Sequence, residues 1–484
     1  MSQSPEEKTP PPPNPNPKAQ KPNHHFTRVK RNRTLSLPEP WVIEEAILRQ
    51  VVPMSNKPLV PPAPDYTSLL SDALLLRILS LVPATTGNSL VCKRWFRLHG
   101  QLVESLTLND WSFLSSGRVF RRFPNLTEID LTRAWVKTPK NSGIVVSSSF
   151  QSLSFHVGTG AVSTVPFLDR NGDVLAPDMV DYGLGLIAEN CPYLRRLAVI
   201  GATEEGVSTV SRSCETLQEV ELHCCDDLSL NGITRCRNLQ VMKLVGKVEG
   251  FYDSVVSDIG LTILANGCTR LVKLELYGCE GSYDGIKAVG QCCLMLEELS
   301  LRDHRMDGGW LSGLSFCRNL KTLRLVACRG IDESPGLVEH LGKCVALEEL
   351  SLERCRVRGQ ADGVKALFLV CDSIRDLRMK NCWGLEDDIF GFARVCRRVK
   401  ILSLEGCSLL TTAGLESAIL NWNELEHLHV VSCNNIKDSE VSPELGFLFS
   451  ALKELKWRPD SKSLLSSGLA ETGVWNKGSR FFKG

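Results

Sequence analysis

The chain repeats the segment Cys268-Thr-Arg-Leu271-Val-Lys-Leu274-Glu-Leu276-Tyr-Gly-Cys279, and this repeat determines its fold. Clear copies begin at Cys317, Cys344, Cys371, Cys396 and Trp422, and weaker copies begin at Cys191, Cys214, Cys236, Cys293 and Phe449. Successive copies start 22 to 32 residues apart. A period in this range is typical of solenoid proteins, in which each unit packs only on its neighbours.

Each repeat predicts one strand and one helix. The Leu-x-Leu core alternates with period two, as in a strand with one buried face. Eight residues before the next repeat, a glycine such as Gly260 precedes an apolar residue and a helical stretch. We therefore expect an α/β solenoid with a curved parallel sheet inside and helices outside. It has about 14 strands when the earlier fragments 106–108, 126–131 and 153–155 are counted.

The repeat also accounts for most of the 19 cysteines. Nine stand at its first position and seven at its last, whereas Cys92, Cys224 and Cys292 fall outside it. A thiol is small and is often buried, and the chain has no Cys-x-x-Cys pair of the kind that binds zinc. His427 and His429 share a strand, but two histidines without a third ligand more often lie in solvent. We therefore expect structural thiols, no metal and no cofactor.

The charge balance and the hydropathy of the sequence argue against several classes of partner and of location. Lys plus Arg is 56 and Asp plus Glu is 55, which argues against a whole-protein attraction to nucleic acid or to anionic lipid. No apolar run reaches the roughly 18 residues of a membrane helix, and the first residues lack the apolar core of a secretory signal. These patterns predict no nucleic-acid partner, no membrane and an intracellular chain. The basic cluster Arg28–Arg33 resembles nuclear-import signals, so the nucleus and/or the cytoplasm is the expected location.

One copy of the repeat resembles a known type of leucine-rich repeat. It reads Asp181-Tyr-Gly183-Leu-Gly-Leu-Ile-Ala188-Glu-Asn-Cys191 and resembles the cysteine-containing leucine-rich repeat of the RNI-like superfamily. The resemblance covers about two thirds of the chain. It implies a binding scaffold, because function on such a fold resides in particular sites.

Residues 66–108 interrupt the repeat with two short helical patterns. Ser71 or Asp72 is placed to cap the first helix. Its apolar stripe is Leu75, Ile78, Leu79 and Val82, and a second stripe is Leu90, Val91, Trp95 and Leu98. About 40 residues make too small a core to stand alone. Part of this apolar surface must therefore dock on the solenoid or on another protein.

This segment resembles an F-box. Val91-Cys-Lys-Arg-Trp95 matches the Val-Cys-Lys-x-Trp ending of that motif, whereas Ser71 and Ala73 replace its usual Pro and Glu. Together with the repeats, the resemblance indicates an F-box/leucine-rich-repeat protein of the kind found in plants, a substrate receptor of SCF ubiquitin ligases. In that family the F-box binds a small adaptor subunit, and through it the cullin and the RING protein. The resemblance places these residues at or near the adaptor: Leu70, Leu75, Ile78, Leu79, Val82, Pro83, Val91, Cys92 and Trp95.

The sequence divides into four regions on these grounds. Residues 1–64 hold 15 of the 24 prolines and form an expected disordered, basic tail. Residues 65–105 are the F-box. Residues 106–460 are the solenoid, with insertions at 132–180 and 245–258, and residues 461–484 are a C-terminal cap or tail.

The outward positions of the predicted sheet are the expected binding surface for a protein substrate. From residue 196 onward they carry nine acidic and nine basic side chains, which suits a protein surface better than a nucleic-acid backbone. The substrate-binding candidates are Tyr277, Arg302, Arg324, Arg378 and Lys380, together with Phe251 and Tyr252 on an insertion. The four basic residues suit an acidic or phosphorylated segment.

The F-box resemblance implies a subunit that directs a protein to ubiquitination and proteasomal degradation. The chain shows no catalytic motif, so we expect this subunit to be non-catalytic. Two alternatives remain. One is a leucine-rich-repeat scaffold without ligase coupling, which the departures at Ser71 and Ala73 allow. The other is a small-molecule co-receptor of the plant-hormone type.

Overall fold

The computed structural model describes residues 66–82, 86–134, 175–248, 252–253, 256–306, 308–328, 331, 335, 341–357 and 361–461. Some of the sequence-based expectations fall outside them: the tail 1–64, the strand at 153–155, most of the insertion 132–180, Pro83, Phe251 and residues 462–484.

Two short helices form a small unit ahead of the sheet. Helix α1 spans Asp72–Leu81, and its N-terminus is capped by the Ser71 hydroxyl, which accepts a hydrogen bond from Leu74 N at 3.3 Å. Helix α2 spans Lys93–Gln101. The short 3₁₀ segments Tyr66–Leu69 and Thr86–Leu90 precede the two helices. We call residues 66–102 the helical pair.

A parallel sheet of 13 strands follows, ordered along the chain. Its strands are β1 (Ser105–Thr107), β2 (Glu128–Asp130), β3 (Arg196–Ile200), β4 (Glu219–His223), β5 (Val241–Val245), β8 (Lys273–Tyr277), β10 (Glu298–Arg302), β12 (Thr322–Val326), β13 (Glu349–Glu353), β14 (Asp376–Lys380), β15 (Ile401–Glu405), β16 (His427–Val431) and β17 (Glu454–Arg458). Short strands outside it are β6 (Lys247–Val248), β7 (Tyr252–Asp253), β9 (Glu280–Gly281) and β11 (Arg305–Met306). Leucines of successive repeats lie in register, as Leu274, Leu299 and Leu323 do, which explains the period-two pattern. The predicted α/β solenoid is confirmed.

Helices cover one face of this sheet. They are α3 (Trp111–Ser115), α4 (Arg118–Arg122), α5 (Pro177–Asn190), α6 (Glu204–Ser213), α7 (Asp227–Ile233), α8 (Asp258–Gly267), α9 (Tyr283–Cys292), α10 (Trp310–Leu314), α11 (Ala361–Val370), α12 (Thr412–Ile419) and α13 (Pro443–Ala451). Strand leucines and helix side chains share one continuous buried core. The helix expected in each repeat is 3₁₀ at Asp387–Arg394, where Gly391 in mid-segment lowers α-helix propensity. We call the opposite side of the sheet, which no helix covers among the described residues, the open face.

A left-handed residue follows several strands and extends the sheet by one hydrogen bond. Ala327 and Arg354 have φ values of 53° and 54°. In this conformation Ala327 N donates to Glu353 O and Arg354 N donates to Lys380 O, each at 2.7 Å. The added bonds offset the roughly 1–2 kcal/mol that the left-handed region costs a residue with a Cβ.

The cysteines line the core as structural thiols. Sixteen of the 19 are buried, and the three that are not, Cys92, Cys224 and Cys292, are those outside the repeat positions. The structure adds a reason for choosing a thiol, because a buried thiol can donate to a carbonyl of the preceding repeat. Cys344 Sγ, for example, lies 3.4 Å from Cys317 O.

Candidate functional site

Exposed apolar side chains concentrate on the helical pair. Nine of the 22 exposed large hydrophobic residues in the described part of the chain lie between residues 66 and 96. They are Tyr66, Leu69, Leu74, Ile78, Leu81, Val82, Leu90, Val91 and Phe96. An exposed apolar surface of this density is typical of a protein-binding site. We call it the apolar patch.

The structure distributes the predicted adaptor residues over two environments. Ile78, Val82, Val91 and Cys92 are exposed, and Leu70 and Trp95 are half-buried. Leu75 and Leu79 are buried with Leu98 in the core of the helical pair. These two leucines therefore hold the pair together and do not belong to its exposed surface, and their place at or near the adaptor stays a prediction. Pro83 lies outside the described residues.

Sequence reasoning did not assign Leu69, Leu74, Leu81 and Leu90 to the patch. Helix α1 is apolar almost all round, from Ala73 to Leu81. A helix of this kind has to bury two faces, and periodicity cannot tell which face meets its own core and which meets a partner. The useful signal is that the helix has more apolar positions than one small core can cover.

Hydrogen bonds fix the geometry of the patch. Asp72 accepts from Arg94 Nε at 2.7 Å and from Arg97 Nη2 at 2.8 Å. Arg94 also donates to Thr67 O at 3.1 Å and to Leu70 O at 2.6 Å. One guanidinium thus joins helix α2 to the start of helix α1 and to the 3₁₀ segment before it.

The helical pair is also tied to the first repeats of the sheet. The guanidinium carbon of Arg122 lies 3.4 Å from the centre of the Phe96 ring, and Arg122 Nη1 donates to Phe96 O. Asn125 Nδ2 donates to Gln101 O at 2.8 Å. A Cβ at Gly100 would overlap the carbonyl oxygen of Arg122, so only glycine allows this close approach.

The open face carries paired charges over its central strands. Arg378 makes two bonds with the Asp376 carboxylate, at 3.0 and 2.6 Å. Arg324 lies 3.4 Å from Glu349, and Lys380 lies 3.0 Å from Glu405. The predicted balance of acids and bases therefore takes the form of ion pairs within and between neighbouring strands.

The remaining substrate-binding candidates lie near the ends of the strands. The guanidinium carbon of Arg302 lies 5.6 Å from the centre of the Tyr277 ring. Burial, and then the Asp303 carboxylate, raise the pKa of Tyr277 above its usual value. Tyr252 lies on β7, where it pairs with Val248 in a two-stranded antiparallel ribbon, and Phe251 lies outside the described residues.

One outward acid is buried instead of exposed. Glu221 on β4 accepts from Lys243 Nζ at 2.6 Å and contacts His223 Nε2 at 2.7 Å. Arg196 approaches the same carboxylate at 3.9 Å. Burial alone would raise the pKa of Glu221, but hydrogen bonds and charge from His223 and Lys243 hold it at about 2. Glu221 is therefore structural and not available to a partner.

Neither a metal cluster nor a membrane span occurs in the part of the chain that the structure describes. Among those residues, no group of three or more His, Cys, Asp or Glu side chains is arranged to hold a metal ion. Within the same residues, no helix is both long enough and apolar enough to cross a bilayer.

Comparison with known proteins finds relatives that match part of the chain. No protein-family model matches the chain. Over 169 residues the chain is 30% identical to coronatine-insensitive protein homolog 1b of Oryza sativa subsp. japonica, a match that covers 31% of this chain and 28% of the relative. Over 199 residues it is 28% identical to F-box/LRR-repeat protein 4 of Bos taurus, a match that covers 38% of this chain and 28% of the relative. The matches thus span little more than a quarter of either relative.

A crystal structure of an internalin from Listeria monocytogenes overlays with a TM-score of 0.35 and 15% identity, over 57% of this chain and 71% of that one. A similarity this weak does not indicate a function. The structure contains a helical pair followed by a thirteen-stranded repeat array, and both relatives match part of this chain. These partial matches support the resemblance of the sequence to F-box/leucine-rich-repeat proteins.

Proposed function

We propose that this chain is the substrate-receptor subunit of an SCF-type, cullin–RING ubiquitin ligase. The helical pair binds the small adaptor subunit, and through it the cullin and the RING protein. The open face of the sheet binds the protein to be ubiquitinated, with Tyr277, Arg302, Arg324, Arg378 and Lys380 as candidate contacts. The single observation that supports this most is the apolar patch, because the described part of the chain leaves it uncovered.

In this proposal the chain performs no bond chemistry. It contributes proximity, since holding a substrate beside the ubiquitin-charged enzyme turns a bimolecular encounter into an effectively intramolecular transfer. A rigid connection between the two binding surfaces serves that role. The Arg122–Phe96 stack and the Asn125–Gln101 hydrogen bond join the helical pair to the array that carries the open face.

The test is adaptor binding by a variant of the exposed patch. Leu74→Asp with Val91→Asp places two charges on side chains that are 54% and 60% exposed. Leu74 lies in the first turn of α1, where a carboxylate is compatible with the helix dipole. We expect a folded protein that has lost co-purification with the adaptor and cullin. Binding is measured by size-exclusion chromatography and folding by circular dichroism.

Leu228→Asp is the matched control. Leu228 is 67% exposed in the first turn of helix α7, several repeats along the array from the helical pair. It introduces one carboxylate at an exposed apolar position, as each substitution of the test variant does, and should leave adaptor binding unchanged. If the unmodified chain binds no adaptor at high micromolar concentration, the proposal is wrong, and the scaffold without ligase coupling takes its place.

Location and substrate follow from the same proposal. The chain acts in the nucleus and/or the cytoplasm, a location that imaging of the intact chain and of a variant with the cluster Arg28–Arg33 neutralised would test. The substrate would be sought by affinity purification under proteasome inhibition, with the Leu74→Asp, Val91→Asp variant as the comparison. A substrate that accumulates on that variant but is not ubiquitinated would support the assignment of adaptor binding to the helical pair and of substrate binding to the open face.

A further inference from the structure

On strands β12 and β14 of the open face, two arginines are more exposed than the acidic side chains that pair with them. Arg324 and Arg378 are 54% and 50% exposed, whereas Glu349 and Asp376, which pair with them, are only 23% and 16% exposed. A ligand approaching the sheet therefore meets guanidinium groups first. The carboxylates below orient these groups without covering them.

The two arginines occupy equivalent positions on alternate strands. From β10 onward, the central outward position of successive strands reads Ser300, Arg324, Ser351, Arg378, Ser403, His429 and Lys456, all in register. None of these side chains is acidic. Arg324 and Arg378 are separated by one strand, so their backbones lie about 9.6 Å apart, twice the usual strand spacing. An extended chain advances about 3.3 Å per residue, and three of its residues span the same distance.

An exposed tryptophan lies at the edge of this region. Trp383 is 72% exposed and follows β14 by three residues. Its backbone is fixed by hydrogen bonds from Trp383 N to Cys355 O and from Val357 N to Trp383 O, both at 2.9 Å. These bonds place it in a bridge with Arg356. Tryptophans and arginines dominate the energetics of protein interfaces.

We propose that strands β12–β14 and the Trp383 edge bind an extended acidic segment of a protein partner. Two carboxylates about three residues apart contact Arg324 and Arg378, and an apolar side chain of the same segment packs on Trp383. The serine between the two arginines in register, Ser351, leaves room for the segment to cross the strands. This inference rests on the proposed function in one respect only, that the partner is the ligase substrate.

The test uses three synthetic fluorescein-labelled peptides of twelve residues and the full chain. The spaced peptide carries three glutamates three residues apart and one leucine in a serine–glycine background. The clustered peptide has the same composition with adjacent glutamates, and the neutral peptide has glutamine in their place. Fluorescence anisotropy should show the spaced peptide binding about ten-fold more tightly than the clustered one, a difference of about 1.4 kcal/mol. The neutral peptide should not bind, and added salt should lower the affinity of the chain for the spaced peptide.

Variants locate the site. Arg378→Gln and Trp383→Ala should each lower the affinity for the spaced peptide about ten-fold, within the usual range for interface residues. Two controls remove the same groups elsewhere: Arg318→Gln, in the turn before β12, and Phe447→Ala, an exposed aromatic on helix α13. Both should keep affinity within about two-fold of the unmodified chain. Circular dichroism establishes that all four variants are folded.

The inference is overturned if the spaced peptide does not bind at millimolar concentration, or if spaced and clustered peptides bind equally. It is also overturned if Arg318→Gln weakens binding as much as Arg378→Gln, or if a twelve-nucleotide single-stranded DNA competes as well as the spaced peptide. The same variants should retain adaptor binding. A chain that binds the spaced peptide but no adaptor would contradict the proposed function alone.

Discussion

Thr411 donates a hydrogen bond from its hydroxyl to Asp387 Oδ2 at 2.6 Å, and its backbone N–H donates to Asp387 Oδ1 at 2.9 Å. The two residues belong to consecutive repeats, so the aspartate of one repeat holds the N-terminus of the next helix. The same contact joins Asp181 to Thr203, Asp227 to Ser257 and Asp258 to Ser282. This relationship explains why an aspartate stands at the start of the helical segment in these repeats.

Gly414→Ala should destabilise the array. A Cβ at Gly414 would overlap the Asp387 carboxylate, so the carboxylate would have to leave the cap it forms with Thr411. We expect a loss of about 2–3 kcal/mol in the free energy of unfolding, of the size of other overpacking substitutions. Urea unfolding followed by circular dichroism measures it.

Gly446→Ala is the control for this prediction. Gly446 also lies within a helix, but no heavy atom lies within 4 Å of the position that a Cβ would take there. Alanine at this position should stabilise the chain by up to about 1 kcal/mol, because it is the better helix former. Equal effects of the two substitutions would contradict the account of the aspartate contact.

The sequence predicts the elements of the array but not the contacts between repeats. The pattern Asp181-x-Gly183 marks a repeat, yet the partner of Asp181 is Thr203 in the following one, which a pattern within one repeat does not show. Glu221 occupies an outward strand position and is nevertheless buried, because Lys243, from the adjacent strand, is long enough to cover it. The period-two rule gives the side of the sheet and not the depth of a side chain.

Alkaline pH should destabilise the array through its thiols. Burial raises the pKa of Cys279 and of Cys344 to about 12. The folded state therefore holds protons that the unfolded chain loses near pH ~8.5. Their stabilising contribution is complete below that pH and is lost as the pH rises towards 12. Urea unfolding at about pH 7, 9 and 10 should show a falling midpoint.

Two variants test whether the thiols cause this fall. Cys344→Ala removes one buried thiol and should make the pH dependence shallower, whereas Cys92→Ser changes an exposed thiol and should leave it unchanged. In the native protein near pH ~8, a thiol reagent should modify at most Cys92, Cys224 and Cys292. Rapid modification of many more thiols without denaturant would contradict the prediction.

Lys243→Met should be strongly destabilising. It leaves the Glu221 carboxylate buried without its closest cation, and breaking a buried pair in this way costs about 3 kcal/mol or more. The low pKa of Glu221 stabilises the fold above its usual titration range and loses that effect as pH falls towards 2. The variant should therefore unfold at a higher pH in an acid titration.

Lys321→Met gives the comparison. Lys321 lies 2.9 Å from Glu297, but both side chains are about half exposed. Its loss should change the free energy of unfolding by less than about 1 kcal/mol. A large effect at Lys321, or a small one at Lys243, would show that burial does not separate the two pairs.

Arg94→Ala should weaken adaptor binding strongly, although Arg94 is not part of the apolar patch. Its guanidinium donates to the Asp72 carboxylate and to the carbonyls of Thr67 and Leu70. Alanine removes all three hydrogen bonds, each worth about 0.5–1.5 kcal/mol, while Asp72 keeps its bond from Arg97. The helical pair has little stability to lose, because its buried core consists of three leucines, Leu75, Leu79 and Leu98.

Arg97→Ala is the matched control for Arg94, because it removes a bond to the same Asp72 carboxylate from a side chain that is 64% exposed. Arg97→Ala should weaken adaptor binding much less than Arg94→Ala does. Hydrogen exchange of residues 72–101, with the amides of β8–β14 as the internal reference, measures the opening of the pair. Faster exchange in Arg94→Ala than in Arg97→Ala, together with weaker adaptor binding, is the expected result. Unchanged exchange with lost binding would instead mean that Arg94 contacts the adaptor directly, because the patch would then have kept its geometry.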